Sequence, residues 1–152
     1  MSTQAPIQVS VSHRFSSPAE RVFDAWLDAE KAGQWLFATP TGEMVRAEID
    51  PRVGGTFRFV DRRDGEDVDH TGEYLEIDRP RRLVFTFSVD GSEADRVIVD
   101  IQPLENGCEL TLTHEMNPAW AEYANRTREG WSTILEGLAE TLGETYPRRV
   151  EI

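Results

Sequence analysis

The sequence predicts an α+β protein, in which a seven-stranded curved antiparallel sheet wraps around a long C-terminal helix and two short helices follow the first strand. Three observations predict it. The run GGTFRFVDRRDGEDVDHTGEYLEIDRPRRLVFTF, from Gly54 to Phe87, reads as three alternating strands joined by tight turns. The segment GWSTILEGLAETL, from Gly130 to Leu142, reads as a helix with one broad apolar face. From Ile7 to Phe15 the odd positions are Ile7, Val9, Val11, His13 and Phe15, with polar residues between them, which is the period of a half-buried strand.

After that first strand, Ser17-Pro18-Ala19-Glu20 offers a capping serine, a proline at the first helical position and a glutamate at the third. A helix is expected from Pro18 to about Asp28, with Val22, Phe23, Trp26 and Leu27 on its apolar face. A second, carrying Ala32, Trp35 and Leu36, should follow directly. Thr39-Pro40-Thr41-Gly42 is a turn, and Met44 to Ile49 is a strand. Asp50-Pro51 and Gly54-Gly55 bracket the next turn. Strands then run from Thr56 to Asp61, Val68 to Ile77, Arg82 to Val89 and Ala94 to Gln102, separated by Asp64-Gly65, Asp78-Arg79-Pro80 and Asp90-Gly91. Asn106-Gly107 is the strongest hairpin signal, both residues being expected at positive φ, and it launches a last strand from Glu109 to Glu115. The final helix is expected to carry Trp120, Tyr123, Thr127, Trp131, Ile134, Leu135, Leu138 and Leu142 on one face over ~24 residues, or ~36 Å. Gly130 and Gly137 inside it imply close approach by the sheet or by a ligand.

The chain has 152 residues, 39% of them hydrophobic and 29% charged. That is the size of one domain, spanning 1–152 with a core from about 7 to 142 and peripheral termini. No stretch approaches the ~20 apolar residues of a membrane helix, so membrane insertion is not expected. The first residues, MSTQAPIQVSVS, carry neither the basic cluster nor the apolar core of a signal peptide, and the lone Cys108 suits a reducing compartment. The expected location is the cytoplasm. With 28 acids against 16 bases the net charge is −12, which repels phosphate backbones and anionic membranes, so nucleic acid is not an expected partner. The plain explanation of the acidity is solubility, and the alternative is an acidic docking face.

Catalytic signatures are absent: there is no nucleophile elbow, no phosphate-binding glycine loop and no dinucleotide fingerprint. His114-Glu115 opens like a zinc motif, but Met116-Asn117 follows where a second histidine is needed. The acidic segment Asp61 to Asp69 fails the calcium-loop pattern because Arg62 and Arg63 hold ligand positions, so it reads as a solvated hairpin tip. His13 and His114 fall on the apolar faces of their strands. Such histidines are mostly hydrogen-bonded core residues; the sharper reading makes them a polar spot in an apolar cavity and weak candidates for acid–base work. A metal would need a third ligand, such as Glu48 or Glu76, that the sequence does not place beside them. Neither metal nor cofactor is expected. The main constellation is aromatic: Phe57 with Phe59, Phe85 with Phe87, and Trp26, Trp35, Tyr74 and Trp131 from facing elements. Core packing explains most of these. A long helix across a curved sheet adds the prospect of a pocket.

The ordered motifs D-P-R-V-G-G-T-F-R-F, D-G, G-E-Y-L-E-I-D-R-P-R-R-L-V-F-T-F, L-T-L-T-H and G-W-S-T-I-L-E-G-L resemble the bacterial single-domain relatives of the activator of the ninety-kilodalton heat-shock-protein ATPase, of its C-terminal-domain type. These sit in the START-like, or SRPBCC, superfamily. The resemblance runs from Ile7 to about Leu142 and implies a helix-grip fold. It further implies a ligand cavity walled by Trp35, Phe57, Phe59, Tyr74, Phe85, Phe87, Leu112, His114, Trp131 and Leu135, to which the sequence reading adds Trp26. The superfamily spans lipid carriers, cyclases and receptors, so the fold implies a cavity rather than a reaction. Binding of a small hydrophobic or aromatic molecule is the first expected function, with a cyclase- or hydrolase-type enzyme using a cavity histidine and a chaperone-associated interaction module standing equally behind it. A homodimer and a chaperone contact both stay open. The eukaryotic activator works with a preceding chaperone-binding domain, which a chain of 152 residues is not expected to hold.

Overall fold

A computed structural model describes residues 7–36, 42–91 and 93–143. The elements in order are β1 (Ile7–Phe15), α1 (Ala19–Leu27), α2 (Ala29–Trp35), β2 (Glu43–Ile49), β3 (Thr56–Arg63), β4 (Glu66–Asp78), β5 (Arg82–Val89), β6 (Asp95–Leu104), β7 (Gly107–Met116), a short 3₁₀ helix (Pro118–Tyr123) and α3 (Ala124–Thr141). The strands form one antiparallel sheet in the order β1-β7-β6-β5-β4-β3-β2. Strands β2 to β7 meander by hairpins, and β1 closes against β7, so α1 and α2 carry the chain from one sheet edge to the other.

Alternation decides which face is inside. On β7, Cys108, Leu110, Leu112, His114 and Met116 are buried while the residues between them are partly exposed. Phe57 and Phe59 on β3, Leu83 and Phe85 on β5, and Val97, Val99 and Ile101 on β6 share that inner face. Opposite them lie Val22, Phe23 and Trp26 of α1, Trp35 of α2, and Trp131, Leu135 and Leu138 of α3. The outer face is held by charge pairs across strands, among them Arg58 with Asp69, Arg62 with Asp67, and Arg82 with both Glu76 and Asp100.

Four local expectations are corrected. Helix α1 starts at Ala19 with Pro18 extended at the cap, and Ser17 lies before it, its hydroxyl accepting from Arg21 Nη1 at 3.1 Å. Asp28 does not extend α1: its backbone is extended, and its side chain caps α2 by accepting from the amides of Glu30 and Lys31 at 3.0 and 3.3 Å. In the β6–β7 hairpin, Leu104 pairs with Gly107, so the turn residues are Glu105 and Asn106 and only Gly107 has a positive φ, of 135°. A Cβ at Gly107 would collide with the Phe15 carbonyl, which is why glycine holds this place. Finally, α3 begins at Ala124, after a 3₁₀ segment that departs from helical geometry at Trp120. Trp120 and Tyr123 therefore do not extend its buried face; they are 54% and 37% exposed. Their apolar spacing fits a helix, but the chain kinks at Trp120 before α3 begins. At 18 residues α3 spans ~27 Å. Of the turn expected at 39–42, residues 39–41 lie outside the described residues.

Candidate functional site

The inner face gathers its aromatic side chains in two groups. The first lies under α1 and α2. Trp26 and Trp35 meet edge to face at 4.7 Å between ring centroids, and Trp26 reaches Phe85 at 6.2 Å. Phe85, Phe57 and Tyr74 are mutually within 5.5–6.4 Å, and Phe59 adjoins Phe57 at 6.0 Å. Strand pairing explains the closeness: Phe57 faces Gly72, so its ring lies where a β-carbon would stand, and Tyr74 faces Phe85. Burial, with a smaller contribution from Asp50, raises the Tyr74 phenol well above its ordinary range, which keeps it protonated.

The second group sits under the first half of α3. Phe87 stacks on His70 at 6.1 Å and meets His114 and Trp131 edge-on at 5.9 and 6.0 Å. Trp131 Nε1 donates to His114 Nδ1 at 2.9 Å. An indole N–H can only donate, so Nδ1 is the acceptor and the imidazole proton sits on Nε2, which is 2.9 Å from Asp95 Oδ2 and donates to it. The chain Trp131–His114–Asp95 thus ties α3 to β7 and β6, ending at a carboxylate whose side chain is 29% exposed.

Beside this group are two buried polar residues: His70, which the sequence reading did not single out, and Asp61, which it placed in a solvated hairpin tip but which lies inside β3. His70 is 4% exposed and its Nδ1 donates to the Phe59 carbonyl at 3.2 Å. Burial lowers its pKa from the ordinary value, with Arg63 acting the same way; the Phe59 hydrogen bond, Asp61 and Asp90 act against it. Asp61 is fully buried and accepts from Arg63 Nε at 2.7 Å. Both were recoverable from alternation. Asp61 is two residues from Phe59, and His70 is four residues from Tyr74, so each shares the inner face of its strand. Asp95 carried no such signal, because it opens its strand.

The expected wall residues Trp26, Trp35, Phe57, Phe59, Tyr74, Phe85, Leu112, His114, Trp131 and Leu135 are all buried, and Phe87 is half-buried. His13 is also half-buried, with its ring 4.6 Å from Phe15. It pairs with Leu110 while His114 pairs with Val9, four residues along the strand or ~13 Å. The two histidines therefore form no common polar spot. His114 has both ring nitrogens engaged, so acid–base work there would first require breaking one of its bonds. Glu48 and Glu76 pair with Arg46 and Arg82 rather than approaching either histidine. Surface depressions of about 580 and 480 Å³, beside the start of α1 and on the outer sheet face, are lined by other residues.

Gly137 does meet a neighbour, the Trp35 side chain at 3.5 Å from an added Cβ, which is ordinary contact with α2 rather than with the sheet. Among the described residues Gly130 meets nothing within 4 Å, so the close approach expected there is not seen among them. Among the described residues no helix is long and apolar enough to cross a membrane.

The fold recurs in solved bacterial proteins. Protein CV1439 from Chromobacterium violaceum is 25% identical, with a TM-score of 0.80 over 91% of this chain and 98% of that one. Protein NE0264 from Nitrosomonas europaea is 20% identical, with a TM-score of 0.81 over 93% and 97%. A Staphylococcus aureus protein of unknown function, SA2116, is 18% identical, with a TM-score of 0.78 over 90% and 93%. No curated protein matches. The architecture is the START-like helix-grip fold. The family model described as activator of Hsp90 ATPase homolog 1-like protein matches residues 16–143, and the chain belongs to that family.

Proposed function

We propose that this protein binds a small apolar or aromatic molecule between the sheet and α3, acting as one domain in the cytoplasm. One observation carries the reading. The inner strand faces present Phe57, Phe59, Tyr74, Phe85 and Phe87 toward Trp26, Trp35 and Trp131, with imidazole and carboxylate groups gathered at one end, among them His70, His114 and Asp95. An apolar wall with a few fixed polar groups is the usual make-up of a small-molecule site. The lone buried Cys108 fits a reducing compartment.

The test is binding of N-phenyl-1-naphthylamine, a neutral fluorescent aromatic, alongside native mass spectrometry of protein purified from its source. Trp131→Ala should weaken probe binding about tenfold, the worth of one large aromatic contact. Arg58→Ala, on the outer face against Asp69, should leave it unchanged. Equal effects of the two substitutions would argue against an inner site.

A second reading, contact with a ninety-kilodalton heat-shock chaperone, is favoured by the family match alone. The acidic surface would then be the docking face. Pull-down of the purified chaperone that weakens with salt supports it, and no retention at low salt counts against it.

A further inference from the structure

Two donors in the aromatic group under α1 and α2 have no acceptor among the described residues. Trp26 and Trp35 are 1% and 2% exposed, and neither indole N–H has a hydrogen-bond partner among the described residues. Native interiors leave few such groups orphaned, and here two occur side by side. The contrast lies within the same core: the Trp131 N–H is satisfied by His114.

The rings themselves do not resolve it. Trp26 and Trp35 meet at an interplanar angle of 86° with centroids 4.7 Å apart. In such an arrangement one ring offers its edge and the other its face, so at most one N–H can rest on its neighbour's π cloud. The Trp26–Trp35 contact therefore leaves at least one of the two donors unmet. The group they belong to, with Phe57, Tyr74 and Phe85, is apolar, and no lysine or arginine is among the buried residues described. An anionic ligand end placed there would lie buried without a counter-charge, which is heavily unfavourable.

We propose that the ligand is a neutral, largely apolar molecule carrying a carbonyl or ether oxygen, and that this oxygen accepts a hydrogen bond from the Trp26 indole, the Trp35 indole or both. The inference rests on the reading of an inner ligand site given above and specifies its chemistry. A site built around unpaired donors discriminates against analogues that lack the acceptor, because such analogues leave the donors orphaned.

The test varies the ligand and leaves the protein intact. 2-Acetylnaphthalene and 2-isopropenylnaphthalene share a shape and differ by an oxygen in place of a methylene. The ketone should displace N-phenyl-1-naphthylamine at a concentration about fivefold lower than the hydrocarbon, the worth of one net hydrogen bond. In ¹H–¹⁵N spectra it should shift the indole resonances of Trp26 or Trp35, assigned from Trp26→Phe and Trp35→Phe, and the hydrocarbon should not produce that shift. Resonances that stay put, or move alike with both compounds, overturn the proposal; if both compounds still displace the probe, the apolar site survives without its acceptor. Failure of the probe and both naphthalenes to bind overturns the acceptor and the site together.

Discussion

At the scale of single residues, the buried polar side chains decide how the inner face responds to its surroundings. His70 lies among Phe59, Phe87 and β4, and burial holds its imidazole below the ordinary histidine range. In the unfolded chain the same ring takes a proton near pH ~6.5. The unfolded state therefore binds more protons than the folded one on the acid side of that value. The stabilisation is complete above pH ~6.5 and is lost as pH falls from there through the depressed folded value. Urea unfolding of the wild type should show stability falling from pH ~6.5 toward ~5.5, above the range where carboxylates begin to titrate. His70→Asn keeps a donor close to the Phe59 carbonyl and removes the titration, so it should flatten that slope. Parallel slopes for the two proteins would mean that His70 is not the group responsible. Trp131 and His114 present a different case, a donor–acceptor pair of two side chains. Their bond joins α3 to the sheet, so Trp131→Phe should cost about 1 kcal/mol with the fold retained, read from the same urea curves; no loss would show the bond to be neutral.

At the scale of elements, the glycines separate packing from propensity. Gly72 sits opposite Phe57, and a β-carbon there would collide with the Thr86 carbonyl and the Phe57 ring, neither of which has room to retreat within a paired sheet. Gly72→Ala should therefore destabilise by several kcal/mol, the range of overpacked core sites, or prevent folding. Gly130 lies inside α3, exposed, with nothing among the described residues within 4 Å of an added Cβ. Gly130→Ala should stabilise by about 1 kcal/mol, because alanine is the better helix former and nothing opposes it. A thermal melt of each variant reads both effects, and a Gly130→Ala protein no more stable than wild type would imply an unseen neighbour at that position. The contrast marks what the sequence could tell. Alternation placed Phe57, Phe59, Phe85 and His114 on the inner face, since a two-residue period leaves little choice once one face is apolar. Apolar spacing at Trp120 and Tyr123 misled, because helical periodicity does not reveal where a chain bends away from its sheet. The two glycines of α3 looked alike, and only the neighbours in space distinguish Gly137 against Trp35 from Gly130 against solvent. The orphaned N–H groups of Trp26 and Trp35 had no sequence signal at all, since satisfaction of a donor depends on residues far away in the chain.

At the scale of the whole molecule, charge is the property that no single element explains. Pairing each of the 16 bases with an acid would leave 28 − 16 = 12 acids over. The arginines of the outer sheet face already have partners, as at Arg58 with Asp69, Arg62 with Asp67 and Arg96 with Glu115. Most of these pairs are substantially exposed, and each is worth ~0–1 kcal/mol, so screening them loses little. The surplus acids repel one another over longer distances, and folding crowds them together. Salt reaches exactly that long-range part. Raising ionic strength from ~0.01 M to ~0.15 M shortens the screening length from ~30 Å to ~8 Å, from the width of the domain to the spacing of neighbouring side chains. The thermal midpoint at pH 7 should therefore rise with added sodium chloride across this range. A flat or falling midpoint would show that the short Arg–Asp pairs outweigh the surplus, and the acidity would then stabilise the fold through its pairs more than it strains it through its excess.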